Sequence, residues 1–124
     1  MAKRILIIDD EKDMRTYLGA LFKKAGYETE TAENGEAGLK SAKASPPDLI
    51  TLDILMPKQS GVRTYRELRT AAETNSVPII ILTGLTQQED FFSELGSLSQ
   101  PDAIVEKPID RDDFLDKVKK VIGD

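Results

Sequence analysis

At 124 residues, 40% of them hydrophobic, the chain can build one domain with a real core but not two. Its 22 acidic residues outnumber 17 basic ones, and a net charge of −5 argues against an electrostatic grip on nucleic acid or an anionic membrane. Cysteine and histidine are both absent, which excludes disulfides, sulfur-ligated zinc and imidazole chemistry and leaves carboxylates, hydroxyls, lysine and a hard cation.

The first apolar run, RILII (Arg4 to Ile8), is too short for a signal peptide and reads as a buried strand. Three acids follow at once, Asp9, Asp10 and Glu11. Met14, Leu18, Leu21, Phe22 and Ala25 then share one face at helical spacing, with Gly26 as the C-terminal stop. YETETA (Tyr27 to Ala32) alternates and suits an edge strand, and Asn34-Gly35 supplies a turn into a short helix carrying Leu39 and Ala42.

LITL (Leu49 to Leu52) and PIIIL (Pro78 to Leu82) are continuous apolar runs, the pattern of parallel strands covered on both faces, and AIV (Ala103 to Val105) is a shorter one. Between and after them, Tyr65, Leu68 and Ala72 mark a third helix. Phe91, Phe92 and Leu95 mark a fourth, and Phe114, Leu115, Val118, Val121 and Ile122 a fifth. Phe91 and Phe92 are adjacent, so they cannot point at the same core spot: both lie partly buried over the sheet, or one joins a docking patch. Strand–helix alternation repeated five times implies right-handed crossovers and a parallel sheet with helices on both faces.

In such a sheet every strand points the same way, so strand ends collect on one edge, where ligands of open α/β folds bind. The first strand ends in Asp9-Asp10, the third in Asp53, the fourth in Thr83 and the fifth at Lys107. If these strands are successive neighbours about 4.8 Å apart, three carboxylates, a hydroxyl and an ammonium share a rim the size of a phosphoryl group with its metal. Asp9, Asp10 and Asp53 suit Mg²⁺, and the cation offsets their mutual repulsion. Asp53 can attack phosphorus, while Lys107 and Thr83 stabilise phosphoryl oxygens. Each residue also has a plainer role open to it: Asp10 as a helix cap, Asp53 as a turn former before Pro57, Thr83 as a strand end, Lys107 as a solvated lysine.

The motifs IIDDE, DLITLDILMPKQSG, PIIILTG and VEKP, in this order over essentially the whole chain, resemble the response-regulator receiver domain of bacterial two-component signalling. The resemblance implies a flavodoxin-like α/β fold, a (βα)5 three-layer sandwich with five parallel strands in the order 2-1-3-4-5. It places the phosphoacceptor at Asp53, Mg²⁺ on Asp9, Asp10, Asp53 and the Leu55 backbone carbonyl, and Met56, Pro57 and Gly61 in the loop after Asp53. It also implies a cis peptide before Pro108.

As partners it implies a sensor histidine kinase or a histidine phosphotransfer protein, then a downstream effector protein, with no direct nucleic acid and no membrane. A dimer on phosphorylation is among the assemblies it allows, and the expected compartment is the cytoplasm. Without histidine the chain can receive a phosphoryl group but cannot supply one as a phosphohistidine. One receiver domain over residues 1–124 with no output domain is expected, either stand-alone or the front of a longer regulator.

Two departures from the family pattern stand out. The family carries an aromatic switch residue in the fifth strand, three positions before the lysine; here that position is Ile104, which has neither ring nor hydroxyl. The segment from Thr83 to Lys107, with GSLSQPD inside it, also replaces the family's usual glycine-alanine loop.

Other classes compete less well. A dehalogenase-type phosphohydrolase needs a second Asp two residues after the nucleophile, where this chain has Leu55, and a flavin site lacks its phosphate loop after the first strand. A pseudo-receiver would not need the full acidic, hydroxyl and lysine set. Leu55 and Leu85, each two residues beyond Asp53 or Thr83, border the path of attacking water in the family. With both apolar, the phosphorylated chain is predicted to lose its phosphate slowly. Polar substitutions at Leu55 or Leu85 should speed the decay, and an unchanged decay rate by phosphate release would contradict this.

Overall fold

The computed structural model describes residues 2–54, 61–84, 93 and 95–123. Expectations for Leu55, Met56, Pro57, Leu85, Phe91 and Phe92 fall outside these residues. Five strands, β1 (Arg4–Ile8), β2 (Glu28–Ala32), β3 (Leu49–Asp53), β4 (Ile79–Thr83) and β5 (Ala103–Glu106), form one parallel sheet in the order β2-β1-β3-β4-β5. Four helices are described: α1 (Lys12–Lys24), α2 (Gly35–Ala44), α3 (Gly61–Thr70) and α4 (Arg111–Ile122). This is the flavodoxin-like arrangement expected from the sequence. No helix among the described residues is long and apolar enough to cross a membrane.

The period-2 alternation of each strand divides the core into two layers. Ile5, Ile7, Leu49, Ile80, Leu82 and Val105 face α1 and α4, packing with Leu18, Phe22, Phe114 and Val118. Leu6, Ile8, Ile50, Leu52, Ile79 and Ile81 face α2 and α3, packing with Ala42, Val62, Tyr65 and Leu68. β3 and β4 are buried at every position, which explains their uninterrupted apolar character, whereas β2 lies at the sheet edge and is largely exposed.

Helix ends follow local chemistry. After α1, Gly26 takes φ +99°, its N–H bonds to Lys23 O at 3.0 Å and the Tyr27 N–H bonds to Phe22 O at 3.0 Å, a Schellman stop. The Phe22 and Tyr27 rings close it edge to face, 6.3 Å apart. Asn34 is the N-cap of α2, its side chain accepting from the Ala37 N–H at 2.8 Å, so Gly35 belongs to the helix rather than to a free turn. α3 ends at Thr70, short of Ala72. In its last turn the Arg69 side chain serves the tertiary fold: it donates to Val77 O at 2.8 Å, to the Tyr65 hydroxyl at 2.9 Å and to Asp102 at 3.0 Å. Asp102 in turn accepts from the Ile79 N–H, and Tyr65 donates to Ser99 O. This network pins the chain ahead of β5 to the start of β4.

Two glycines sit against neighbours. A Cβ on Gly61 would fall on the backbone of Ile54, which cannot yield, while a Cβ on Gly38 would meet only the Ile8 side chain. Gly61→Ala should therefore cost about 3 kcal/mol or more and Gly38→Ala about 1 kcal/mol, read from urea midpoints. Equal losses would show that the β3–α3 junction is not the tighter contact.

Candidate functional site

Parallel strands deliver the polar residues to one edge. Asp9 follows β1, Asp53 ends β3, Thr83 ends β4 and Lys107 follows β5, and β1, β3, β4 and β5 are successive neighbours. Asp9, Asp53 and Thr83 are buried, and Asp10 is exposed. One carboxylate oxygen from each of Asp9, Asp10 and Asp53 lies within 4.8 Å of the others. Lys107 Nζ donates to Asp53 Oδ2 at 3.1 Å and lies 3.8 Å from Glu11 Oε1. Thr83 Oγ1 donates to Gly84 O at 3.1 Å. The Lys107–Pro108 peptide is cis.

The plainer reading of Asp10 does not describe the helix start. The N-cap of α1 is Glu11, which makes no side-chain cap bond, and Asp9 Oδ1 accepts the Glu11 N–H at 2.9 Å. Arg15 holds the same turn from the helix side, donating from Nη1 to Asp9 O at 2.8 Å. Asp10 is thus left free of capping duty with its carboxylate at the rim.

Sequence reasoning did not assign Arg15 a place, and it treated Glu11 only as one of three acids. The first had no signal, because a guanidinium reaching a backbone carbonyl leaves no pattern of its own. The second had one, its position directly after the acid pair. Ile104, the departing switch position, is half-buried and packs on the α2–α3 side of the sheet.

The electrostatics favour a cation. Burial pushes the Asp9 carboxyl up to about 6, with Asp53 and Asp10 adding repulsion and the Glu11 N–H and Lys107 opposing it. Burial alone would lower the Lys107 ammonium, but the charge and hydrogen bond of Asp53, with Asp9 and Glu11, outweigh it and hold the group above its ordinary value. Asp9 Oδ2 is buried with no hydrogen-bond partner among the described residues. An orphaned carboxylate oxygen beside two more carboxylates fits a hard divalent ion, which takes oxygen ligands and cancels their repulsion.

Fold and site together define a flavodoxin-like α/β domain with an acidic pocket and a paired lysine at the C-terminal edge of its sheet. The family model of the response regulator receiver domain matches residues 5–119. This chain belongs to that family, whose members are receiver domains of two-component response regulators, signalling modules rather than conventional enzymes.

PilH of Pseudomonas aeruginosa is 34% identical over 120 residues, covering 97% of this chain and 98% of PilH. The alkaline phosphatase synthesis transcriptional regulatory protein PhoP of Bacillus subtilis is 34% identical over 122 residues, 98% of this chain but 49% of PhoP, so the chain spans about half of that regulator. The receiver domain of a sensor histidine kinase from Pseudomonas aeruginosa, solved with a magnesium ion in its active-site cleft, has the same fold. Its TM-score is 0.88, with 24% identity and 100% of both chains covered.

A pH dependence follows from Asp9. Its folded value, about 6, lies above the ordinary 3.8. The folded state therefore holds a proton that the unfolded chain releases, so the contribution is full below the unfolded value and is lost as pH rises through about 6. In chelator, Asp9→Asn should melt higher than the native chain near pH 7.5 by on the order of 2 kcal/mol, with the gap closing toward pH 4. Parallel melting curves at all pH values would remove Asp9 as the source.

Proposed function

We propose that Asp53 accepts a phosphoryl group from the phosphohistidine of a sensor histidine kinase or histidine phosphotransfer protein. The observation that carries this reading is a buried carboxylate at the end of β3, bonded to Lys107 and close to two further carboxylates. An Asp53 oxygen attacks phosphorus, the P–N bond of the donor breaks, and its electron pair returns to the imidazole. Lys107 takes up negative charge on the transferred group, and the Thr83 hydroxyl turns from Gly84 O to donate to a phosphoryl oxygen.

Asp9, Asp10 and Asp53, with the Leu55 carbonyl, are the residues to hold Mg²⁺, which when bound supplies charge neutralisation for the acids and the phosphoryl oxygens. Within this pocket the Glu11 N–H and the Arg15 contact keep Asp9 in place. The chain's catalysis is then limited to its own phosphorylation and dephosphorylation. The modified surface, which includes Ile104 and Pro108, signals to an effector protein in the cytoplasm.

Incubation with Mg²⁺ and acetyl phosphate tests this by intact mass. A single phosphate adduct is expected on the native chain, dependent on Mg²⁺ and absent from Asp53→Asn. No adduct on a folded, Mg²⁺-binding chain would instead favour constitutive binding without phosphorylation.

A further inference from the structure

A groove of about 510 Å³ runs between α1 and the edge strand β2, beside the acidic pocket but lined by none of its carboxylates. One wall is the stripe Lys12, Arg15, Gly19 and Lys23 of α1, and the other carries Thr29 and Thr31. Three features of it suit a ligand.

The first is the strand edge. The Glu28 N–H bonds to Lys3 O and Ala32 O accepts from the Asp9 N–H, so Glu28, Glu30 and Ala32 turn their backbone groups to β1. By the alternation of a parallel ladder, the N–H and C=O of Thr29 and Thr31 point outward, and among the described residues β2 has no second neighbour in the sheet. The second is charge. In a chain of net −5, Lys12, Arg15 and Lys23 line one groove, and none of them is in an ion pair among the described residues, although Arg15 also donates to Asp9 O. The third is space. Gly19 sits inside α1, where glycine weakens a helix, yet nothing lies within 4 Å of where its Cβ would be. Internal packing does not require a glycine there, and its absence of side chain leaves the groove floor open.

We propose that this groove docks an extended acidic segment of a partner protein, added to β2 as a sixth strand. Backbone pairing with Thr29 and Thr31 supplies the geometry, and acidic side chains on the α1 side meet Lys12, Arg15 and Lys23. Glu28 and Glu30 lie on the opposite face of β2, so the partner's alternate side chains are neutral or basic. The same two residues disfavour a second copy of this chain, because β2 against β2 sets like charges side by side.

The probe is a labelled peptide of alternating valine and glutamate, titrated against the full chain by anisotropy, with amide exchange read at Thr29 and Thr31. Binding that protects these two amides is expected, weakened at least about tenfold by Lys12→Glu/Lys23→Glu and by Gly19→Leu, which fills the floor. Gly19→Leu should melt no lower than the native chain, since nothing lies within 4 Å of where its Cβ would be, and Lys12→Glu/Lys23→Glu should keep the native circular dichroism spectrum, since neither lysine is in an ion pair among the described residues. A valine–lysine peptide should bind more weakly. No binding at ~1 mM peptide, or binding that both variants leave intact, overturns the proposal. So does tighter binding of a single-stranded oligonucleotide to the same residues, which would make the groove a nucleic-acid site.

Discussion

All five strands run in one direction, and that constraint decides where chemistry can occur. Parallel order requires each strand to be followed by a return crossing, and the crossings cover both faces with helices. The faces are then closed to solvent, and the C-terminal edge becomes the place where polar side chains can stand in a partly buried setting. Three carboxylates gathered there repel one another, and the two that are buried, Asp9 and Asp53, also lose hydration, a combination that only a rigid frame can hold. The frame is the pair of apolar layers on either side of β1, β3 and β4, whose central residues are almost wholly buried. Lys107 relieves part of the repulsion through Asp53, while at Asp9 burial first and the neighbouring acids second raise the carboxyl, whose Oδ2 has no hydrogen-bond partner among the described residues. The pocket is poised for positive charge because the sheet holds its acids together before any ligand arrives.

Much of this was legible in the chain itself. Continuous β-branched runs marked β1, β3 and β4 as doubly covered, and the alternation of YETETA marked β2 as the edge strand that it is. Once strand ends were read as one rim, Asp9, Asp10, Asp53, Thr83 and Lys107 came together, and the structure places Asp9, Asp53, Thr83 and Lys107 at neighbouring strand ends. What stayed hidden depends on distant side chains. Arg69 joins Tyr65, Val77 and Asp102, the last of them 33 residues away, and such a network has no period to detect. The early end of α3 belongs to the same cause. Its apolar spacing continues to Ala72, but the chain turns to let Arg69 tie β4 to the segment before β5.

Ile104 stands where the family pattern expects an aromatic residue, and its packing is that of an aliphatic one. It packs on the α2–α3 side of the sheet beside Ile81, its register partner in β4, while its own carbonyl lies 3.5 Å from Lys117 Nζ. An aliphatic side chain has no hydroxyl to move between protein and water. Were a response passed through this position, it would be one of packing, since well-packed cores shift between discrete arrangements rather than deforming smoothly. The Arg69–Tyr65–Ser99 contacts bear on the same layer from the other end of the sheet and limit how far the chain before β5 can travel.

Arg15 connects the acidic pocket with the groove beside β2. Its guanidinium donates to the Asp9 carbonyl and also lines the wall that faces Thr29 and Thr31. On the proposed docking, a segment that drew Arg15 into the groove would weaken its hold on the turn carrying Asp9 and Asp10, and a cation held by those acids would change what Arg15 could offer outside. Binding linkage is reciprocal: whatever free energy one site transfers to the other is returned in equal measure. The single hydrogen bond between Arg15 and Asp9 O sets a modest scale for this exchange, about 1 kcal/mol for an ordinary bond and more for a charged donor. That is enough to shift an affinity several-fold without any movement of the sheet, because the element that would move is one side chain on the first turns of α1.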